Sequence, residues 1–442
     1  MAEPAQPSLG RRPITEPAVA PNGLPTSIPG LADPATASLL RACVHCGICL
    51  PQCPTYRVLG EEMDSPRGRL YLMRAVAEGR LQPTETYARH LDLCLGCRAC
   101  ETACPAGVKF GTLLEIARAD LGRHGRPARR RWLTDVLLSV LPQPGRLGAA
   151  LGLARRYRRW GVQRLARSSG LLARFPRLAA LDALLGRVPN EQTLPEYVPA
   201  RGPARGRVAL LTGCVQRYLF HDVNRDTVRL LSLAGWNVLV PRGQGCCGAL
   251  ELHAGRLEDF QERARALAAA LPDDVDYVVT NAAGCGSALR DYGHWLPGSP
   301  AAQLGARARD VTELLVDADL PLSRMPVTAT YHDACHLAHG QQVRSAPRTL
   351  LRRIPDLRLV ELPDSDLCCG SAGVYNLLEP EMADRLLALK LARIRETRAR
   401  VVATGNPGCL MQIAKGARAA GLELEIVHPV TLLARAAKVS DS

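Results

Sequence analysis

The sequence predicts an α+β multidomain protein, in which a helical module precedes two repeated α/β lobes. Eight of its 16 cysteines lie in two similar runs between residues 43 and 104. The other eight lie between residues 214 and 409, where short apolar strands alternate with amphipathic helices. Such alternation is typical of parallel sheets with right-handed crossovers. We expect a disordered tail at 1–36, the helical module at 37–122, an Arg-rich helical linker at 123–206, and lobes at 207–325 and 326–442.

Both cysteine runs, at residues 43–54 and 94–105, read C-x2-C-x2-C-x3-C-P. This run holds [4Fe–4S] clusters in bacterial two-cluster ferredoxins, where the fourth Cys of each run ligates the other cluster. The sequence therefore predicts a helical ferredoxin module with two [4Fe–4S] clusters. Zinc sites usually combine C-x2-C pairs, and cysteines three residues apart are poorly placed for disulfides. The expected ligands are Cys43, Cys46, Cys49 and Cys104 for cluster 1, and Cys94, Cys97, Cys100 and Cys53 for cluster 2.

Helical spacing of apolar residues surrounds these runs. Helices are expected at Leu39–Ala42, after Ser65-Pro66, at Thr86–Leu93 and at Leu113–Leu121. His45 lies between two expected ligands, and we expect it to form a hydrogen bond near the cluster rather than to ligate it.

The first 36 residues contain no apolar core of a secretion signal, although Arg11-Arg12 is a twin arginine. The most apolar stretch, Val136–Ala154, is interrupted by prolines and Arg146 and is not expected to span a membrane. We therefore expect a cytoplasmic protein, with peripheral contact at the inner face of the cell membrane as a further option.

The net charge of +14 is concentrated in one segment. Residues 123–207 contain 18 Arg, no Lys and four acidic residues, and the rest of the chain is neutral in sum. Arginines alternate with Leu, Tyr and Trp160 between Leu151 and Leu172, as in a basic amphipathic helix. Such a helix can lie on anionic lipid, bind a partner, or simply present a solvated face. Nucleic acid is not expected as a partner, because no recognised binding fold accompanies the arginines.

The region after residue 207 is an internal repeat. Each copy has one Cys, then Cys-Cys-Gly, then another Cys, and the copies are offset by 121, 122 and 124 residues. Because each cysteine follows a predicted strand, we expect the thiols to gather at the carboxyl edges of the two sheets. We favour a metal or cluster in each lobe, with a thiol/disulfide centre as the alternative. The candidates are Cys214, Cys246, Cys247 and Cys285 in lobe 1, and Cys335, Cys368, Cys369 and Cys409 in lobe 2.

Three further patterns occur in the lobes. Residues 243–248 satisfy G-x-G-x-x-G, but the second copy lacks the pattern, so we expect neither NAD nor FAD on this chain. The run His332-Asp333-Ala334-Cys335-His336 contains groups that ligate metal or transfer protons. We favour the interpretation that these residues cap the next helix and orient the Cys loop. Gly284-Cys285-Gly286 is expected to form a turn.

The sequence resembles the iron–sulfur subunits of bacterial glycolate oxidase (glycolate dehydrogenase). The resemblance is carried by residues 41–47, 53–56, 65–69 and 367–373, which read RACVHCG, CPTY, SPRGR and LCCGSAG. The lobes resemble the cysteine-rich domains of heterodisulfide reductase and of a glycerol-3-phosphate dehydrogenase subunit. That superfamily often ends each lobe with C-x-x-C, whereas this chain has Ala282 and Asn406 at the first of those positions.

The resemblance implies an electron-transfer subunit that takes electrons from the flavin that glycolate reduces on partner subunits, and passes them to membrane quinone, while glycolate becomes glyoxylate elsewhere in the complex. No catalytic residue is expected on this chain. The alternatives are an iron–sulfur subunit of a lactate, glycerol-3-phosphate or disulfide reductase complex, or a zinc-stabilised scaffold that docks through its Arg-rich segment.

Overall fold

The computed structural model describes residues 30–124, 128–170, 174–184, 186, 188–189 and 192–437. The N-terminal module is helical throughout, and its two cysteine runs form the loops between helices. A 3₁₀ turn at Glu62–Asp64 precedes its third helix. The helices are α1 (Pro34–Arg41), α2 (Pro54–Leu59), α3 (Pro66–Ala77), α4 (Glu85–Asp92), α5 (Ala99–Thr102) and α6 (Phe110–His124).

Helix α1 begins inside the expected tail, so the boundary at residue 36 was wrong. The Asp33 side chain accepts hydrogen bonds from the backbone amides of Ala35 and Thr36, and Pro34 occupies the first helical position. Both features favour helix initiation. Residues 1–29 of the expected tail lie outside the described residues.

The linker continues as a series of helices. They are α7 (Ala128–Val140), α8 (Pro144–Arg159), α9 (Val162–Ser168) and α10 (Pro176–Leu184). The basic stretch after Leu151 is not one helix, because Gly161 adopts φ +74° and separates α8 from α9. Among the described residues no single helix is long and apolar enough to cross a bilayer. One pair, Arg130–Val140 and Pro144–Arg159, meets the length and composition requirement together but is bent by 95°.

Lobe 1 is built on a five-stranded sheet of order β1-β3-β2-β4-β5. The strands are β1 (Tyr197–Val198), β2 (Gly206–Leu210), β3 (Trp236–Leu239), β4 (Tyr277–Thr280) and β5 (Ala308–Asp310). The helices are α11 (Val215–Leu219), α12 (His221–Leu233), α13 (Ala249–His253), α14 (Leu257–Ala270), α15 (Ala283–Trp295), α16 (Pro300–Ala306) and α17 (Val311–Leu315). Strand β1 pairs antiparallel with β3. The lobe therefore begins before the expected boundary at 207, and its sheet is not wholly parallel.

Lobe 2 contains a parallel four-stranded sheet of order β7-β6-β8-β9. The strands are β6 (Val327–Tyr331), β7 (Leu357–Val360), β8 (Val401–Ala403) and β9 (Glu425–Val427). The α-helices are α18 (Ser345–Arg352), α19 (Tyr375–Leu378), α20 (Pro380–Thr397), α21 (Pro407–Ala419) and α22 (Pro429–Ala436), with a π-helical turn at His336–Gly340. The strand order β3-β2-β4-β5 of lobe 1 recurs here, which confirms the predicted internal repeat.

The module and both lobes share packed interfaces. One apolar core joins helix α6, through Leu113 and Leu114, to Leu252 and Phe260 of lobe 1. A second core joins Leu95 and Cys97 of the module to lobe 2. The lobes also contact each other, because His428 Nε2 lies 3.0 Å from the Asn281 carbonyl oxygen. The second cysteine run therefore lies against the cysteine-bearing edge of lobe 2, where Cys97 shares a core with Cys335 and Cys368.

Candidate metal centres

The first thiol group lies near the protein surface. Cys43, Cys46, Cys49 and Cys104 line one cavity together with Cys100. Cys46 is exposed, and Cys43, Cys49 and Cys104 are partly buried. The loop that carries Cys46 also exposes Val44 by 70% and Ile48 by 52%. This group therefore has one edge at the surface, framed by apolar side chains.

The second thiol group is buried. Cys53, Cys94, Cys97 and Cys100 line a separate cavity, and all four are shielded from solvent. Because Cys100 lines both cavities, the two groups are adjacent. The structure thus brings together the two sets of cysteines that the sequence predicts. Cys104, the last cysteine of the second run, lies with the first three of the first run, and Cys53 lies with the first three of the second run.

Burial shapes the protonation of these thiols. Desolvation raises the pKa of Cys49 to about 11 and that of Cys97 and Cys100 well above the usual thiol value. Neutral thiols are therefore favoured when no cation is present. A positively charged metal reverses this preference, because it binds the thiolate form. Each group of four thiols, with Cys100 counted in the second group although it also lines the first cavity, fits a [4Fe–4S] cluster.

Arg69 is a fully buried cation beside the second group. Its Nη1 lies 3.9 Å from Cys53 Sγ and donates to Thr55 Oγ1 at 3.1 Å. Its Nη2 pairs with Asp64 Oδ1 at 3.2 Å, and its Nε donates to the His90 carbonyl oxygen at 2.7 Å. Burial alone would lower the pKa of Arg69, but electrostatic interactions with Cys94, Cys53 and Asp64 raise it on balance. The side chain thus supplies a fixed positive charge at a predicted cluster ligand.

A buried acidic residue lies on helix α6 at the interface with lobe 1. Glu115 Oε1 is 3.1 Å from His253 Nδ1, and burial raises the pKa of Glu115 to about 8. Burial also lowers the pKa of His253 to about 3, so this pair carries little charge near neutral pH. No sequence pattern pointed to these residues, because their burial depends on how the module packs on lobe 1.

The four thiols of lobe 1 meet at the carboxyl edge of its sheet, as predicted. Cys214 and Cys246 have sulfur atoms 3.7 Å apart, and Cys247 is in hydrogen-bond contact with Cys285. A hydrogen bond with Cys214 lowers the pKa of Cys246 well below the usual thiol value. Gly248 adopts φ +79°, and a Cβ there would lie 2.7 Å from the Phe260 ring. The glycine of Cys-Cys-Gly is therefore required by both backbone and packing.

Lobe 2 repeats this arrangement with one addition. Cys368 contacts Cys335 and Cys369, and Cys369 contacts Cys409. The addition is His332, which lies beside two of these thiols. A donor atom of His332 and the sulfur atoms of Cys369 and Cys409 all lie within 4.8 Å of one another, and all three residues are buried. Of the two roles that the sequence left open for this run, metal ligation fits the position of His332 better than the favoured capping role. His332 is a candidate ligand, and its closeness to Cys369 depends on tertiary structure.

Other local expectations were also wrong. Residues 284–286 do not form a turn, because helix α15 begins at Ala283 and Cys285 lies in its first turn. Cys409 likewise lies in the first turn of α21. Asn406 Nδ2, beside this helix start, donates to Cys409 Sγ at 3.6 Å. At His45, the backbone carbonyl oxygen accepts a hydrogen bond from the Arg67 side chain at 3.4 Å, and a hydrogen bond of the His45 ring near the cluster stays a prediction.

Comparisons with known protein families agree with this architecture. Residues 39–108 match a 4Fe-4S dicluster domain, and residues 208–290 and 329–414 match a cysteine-rich domain. Residues 129–185 match the linker region of the glycolate oxidase iron-sulfur subunit. The predicted fold class, a helical dicluster module followed by two cysteine-rich lobes, is confirmed.

Individual relatives extend the similarity over most of the chain. A probable glycolate oxidase iron-sulfur subunit of Bacillus subtilis is 39% identical over 417 residues, which are 90% of this chain and 94% of the relative. The glycolate oxidase iron-sulfur subunit of Escherichia coli is 35% identical, covering 86% and 91%. Lactate utilization protein A of Oceanobacillus iheyensis is 31% identical, but over 51% of this chain. Together, the dicluster module, the family-specific linker and the two cysteine-rich lobes show that this chain belongs to the glycolate oxidase iron–sulfur subunit family.

Proposed function

We propose that this chain is the electron-transfer subunit of a flavin-dependent glycolate (2-hydroxy acid) dehydrogenase. In this proposal it receives electrons from FAD on partner subunits and passes them through two [4Fe–4S] clusters toward membrane quinone. The observation that carries the proposal is the sorting of eight cysteines into two adjacent cavities that share Cys100. Adjacent one-electron centres suit an acceptor of the two electrons that a flavin receives from a 2-hydroxy acid.

The proposed ligands follow the crossed arrangement. Cluster 1 is assigned to Cys43, Cys46, Cys49 and Cys104, and cluster 2 to Cys53, Cys94, Cys97 and Cys100. When bound, each cluster supplies a site that accepts and releases one electron at a potential tuned by charge, hydrogen bonds and exposure. The chain contributes Arg69 beside Cys53 and a surface edge beside Cys46.

We assign contact with the redox partner to the loop of residues 44–48. Electron transfer requires a short path, and exposed Cys46 lies in this loop between the exposed apolar side chains of Val44 and Ile48. An apolar patch around a surface redox centre suits docking of a protein partner. The buried second group lies deeper, against Cys335 of lobe 2.

We assign contact with the membrane surface to α8 and α9. Leu153, Trp160 and Leu165 are exposed by 63%, 73% and 68%. Six arginines lie among them, at positions 155, 156, 158, 159, 164 and 167. Exposed apolar side chains between arginines suit the surface of an anionic bilayer. Sedimentation with vesicles should show that the protein binds only vesicles that contain anionic lipid. This binding should weaken at high salt and in Trp160→Ser, and equal binding to neutral vesicles would contradict the membrane assignment.

Direct disulfide reduction by the lobes is a weaker candidate. Cys246, Cys247, Cys368 and Cys369 are each exposed by 2% or less. A thiolate must reach the disulfide sulfur that it attacks, so these thiols are poorly placed to react with an external substrate.

The ligand assignment is tested with two double variants. In the crossed arrangement, Cys46→Ser with Cys104→Ser removes two ligands of cluster 1 and leaves about four iron atoms per chain. Cys46→Ser with Cys53→Ser damages both clusters and leaves little iron. If each run held its own cluster, these two outcomes would be exchanged. Cys285→Ser, a change to a lobe thiol, serves as the control and should keep both clusters.

The electron-transfer role is tested in the complex with its FAD subunits. Anaerobic addition of glycolate should bleach the visible cluster absorbance within turnover time, and D-lactate serves as the comparison substrate. Reduction of the flavin without bleaching of the clusters would contradict the proposal.

A further inference from the structure

Lobe 2 contains a histidine whose environment differs from that of an ordinary buried histidine. His332 is 1% exposed; its ring contacts the Cys369 thiol, and neither ring nitrogen has an oxygen or nitrogen partner among the described residues. Burying polar nitrogens without partners costs free energy, so such groups usually have a partner. A metal ion would be a shared partner for this ring and two thiols, because a donor atom of His332 lies within 4.8 Å of those of Cys369 and Cys409.

The backbone holds His332 in this position. His332 immediately follows β6, and its backbone amide donates to the carbonyl oxygen of Ala403 in β8 at 2.9 Å. The next residue, Asp333, is buried and forms an ion pair with Arg348 at 2.6 Å. The segment is therefore tied to the sheet on one side and to α18 on the other, which fixes the donor atoms in place.

Lobe 1 provides an internal comparison. Leu211 follows β2 as His332 follows β6, and its amide donates to the Val279 carbonyl oxygen of β4, also at 2.9 Å. Cys247 and Cys285 occupy the positions of Cys369 and Cys409. The two lobes thus place equivalent thiols in equivalent positions, but only lobe 2 adds an imidazole. An apolar leucine cannot ligate a metal, so the two sites differ in chemistry.

We propose that lobe 2 binds one divalent metal ion of the zinc class through His332, Cys369 and Cys409, and that lobe 1 has no equivalent mixed site. Mixed sulfur and imidazole donors are typical of zinc, which takes Cys and His ligands in tetrahedral sites. An isolated cubane cluster usually takes cysteines alone. Zinc has no redox chemistry, so this ion would stabilise the edge of lobe 2 beside the second cluster rather than carry electrons.

The first test is metal content of the full-length chain, purified anaerobically. We expect one zinc per chain besides the iron of the N-terminal module. His332→Leu, which installs the residue of lobe 1, should lose the zinc and keep the iron and acid-labile sulfide. His332→Cys keeps a ligand and should retain the zinc. Zinc retained at one per chain in His332→Leu would overturn the proposal.

Two controls separate ligation from general damage. His339→Gln changes a histidine in the same segment that is 3% exposed, but whose Nδ1 already lies 3.0 Å from Thr102 Oγ1. Cys285→Ser changes the lobe 1 counterpart of Cys409. Both should keep the zinc, and loss of zinc in either to the same extent as in His332→Leu would contradict the assignment.

A spectroscopic test works on the unaltered protein, whatever the variants do to folding. X-ray absorption at the zinc edge should show both sulfur neighbours at about 2.3 Å and nitrogen neighbours at about 2.0–2.1 Å. Replacement by Co²⁺ should give the intense visible bands of a tetrahedral thiolate site. An all-sulfur shell, or absence of zinc together with iron and sulfide beyond two cubanes, would overturn the proposal. Because the readouts concern zinc, they are independent of electron transfer through the N-terminal clusters.

Discussion

Replacing Arg69 by methionine should destabilise the N-terminal module strongly, because it breaks a buried ion pair while keeping the side-chain volume similar. Arg69 is 0% exposed and Asp64 is 3% exposed, and their charged groups are 3.2 Å apart. Without the guanidinium, the Asp64 carboxylate keeps its contact with His90 Nδ1 at 3.0 Å but has no other ion-pair partner among the described residues. Removing one partner of a buried pair costs about 3–5 kcal/mol.

Arg74 provides a matched control on the same helix. It pairs with Glu78 at 2.7 Å, but both side chains are 39% exposed. Exposed pairs four residues apart contribute about 0.3–0.5 kcal/mol, so Arg74→Met should change stability little. The double variant Arg69→Met with Asp64→Asn should recover part of the loss, because no buried charge remains unpaired.

The assay is anaerobic urea unfolding of the full chain, followed by loss of visible cluster absorbance. With a urea dependence of about 1–3 kcal/mol/M, the midpoint for Arg69→Met should fall by at least about 1 M. The midpoint for Arg74→Met should shift by less than about 0.5 M. Equal shifts in the two variants, or a double variant less stable than Arg69→Met, would refute the reasoning.

Three further changes test other parts of the structure. Glu115→Gln should flatten the pH dependence of stability. Burial raises the pKa of Glu115 from its ordinary value of 4.5 to about 8, so between these two pH values the native protein keeps a proton that the unfolded chain loses. The wild-type free energy of unfolding should therefore fall by on the order of 4 kcal/mol as the pH rises from 4.5 to 8. Melting temperatures from pH 5 to pH 8 measure this. Gly370→Ala should cost more than about 1 kcal/mol in urea unfolding, because φ is +86° and the new Cβ would lie 2.6 Å from the Ala383 carbonyl oxygen. Ile48→Glu should slow reduction by the FAD subunits about tenfold, equivalent to about 1.4 kcal/mol, without changing iron content; stopped-flow absorbance measures it.

Each of these has an outcome that would contradict it. A wild-type pH profile parallel to that of Glu115→Gln would show that this carboxyl group titrates normally. Gly421→Ala is the control for Gly370→Ala: Gly421 also has a positive φ, at +61°, but nothing lies within 4 Å of the Cβ that alanine would add. If both variants lost the same free energy of unfolding, the close contact at Gly370 would be excluded as a cause. Leu389→Glu changes a leucine that is 42% exposed in lobe 2, and the same slowing there would move the docking surface away from residues 44–48.

The features best predicted from sequence are those encoded by local spacing. The cysteine runs identified both thiol groups. Each group takes three cysteines from one loop, around Cys46 or Cys97, and its fourth cysteine from the other run. The internal repeat identified the four gathered thiols of each lobe, because the carboxyl ends of neighbouring parallel strands meet at one edge. Helix α3 was also predictable, since the Ser65 side chain accepts from the Gly68 amide, as expected for a helix cap.

The features that sequence missed depend on contacts distant along the chain. His332 lies 37 residues before Cys369 and 77 before Cys409, and no spacing rule joins them. Strands β1 and β5 are two and three residues long, too short for an alternating pattern to identify. The raised pKa of Glu115 arises only when helix α6 is buried against lobe 1. Local pattern thus predicted the repeated thiols and the longer strands that carry them, while packing determined the short strands and the remaining site residues.

The most direct test of the central claim is the iron and acid-labile sulfide content of the anaerobically purified chain, with EPR after reduction. Two cubane clusters predict about eight iron and about eight sulfide per chain, with magnetically coupled signals from the two adjacent centres. A colourless protein that contains zinc but neither iron nor sulfide would contradict the electron-transfer account.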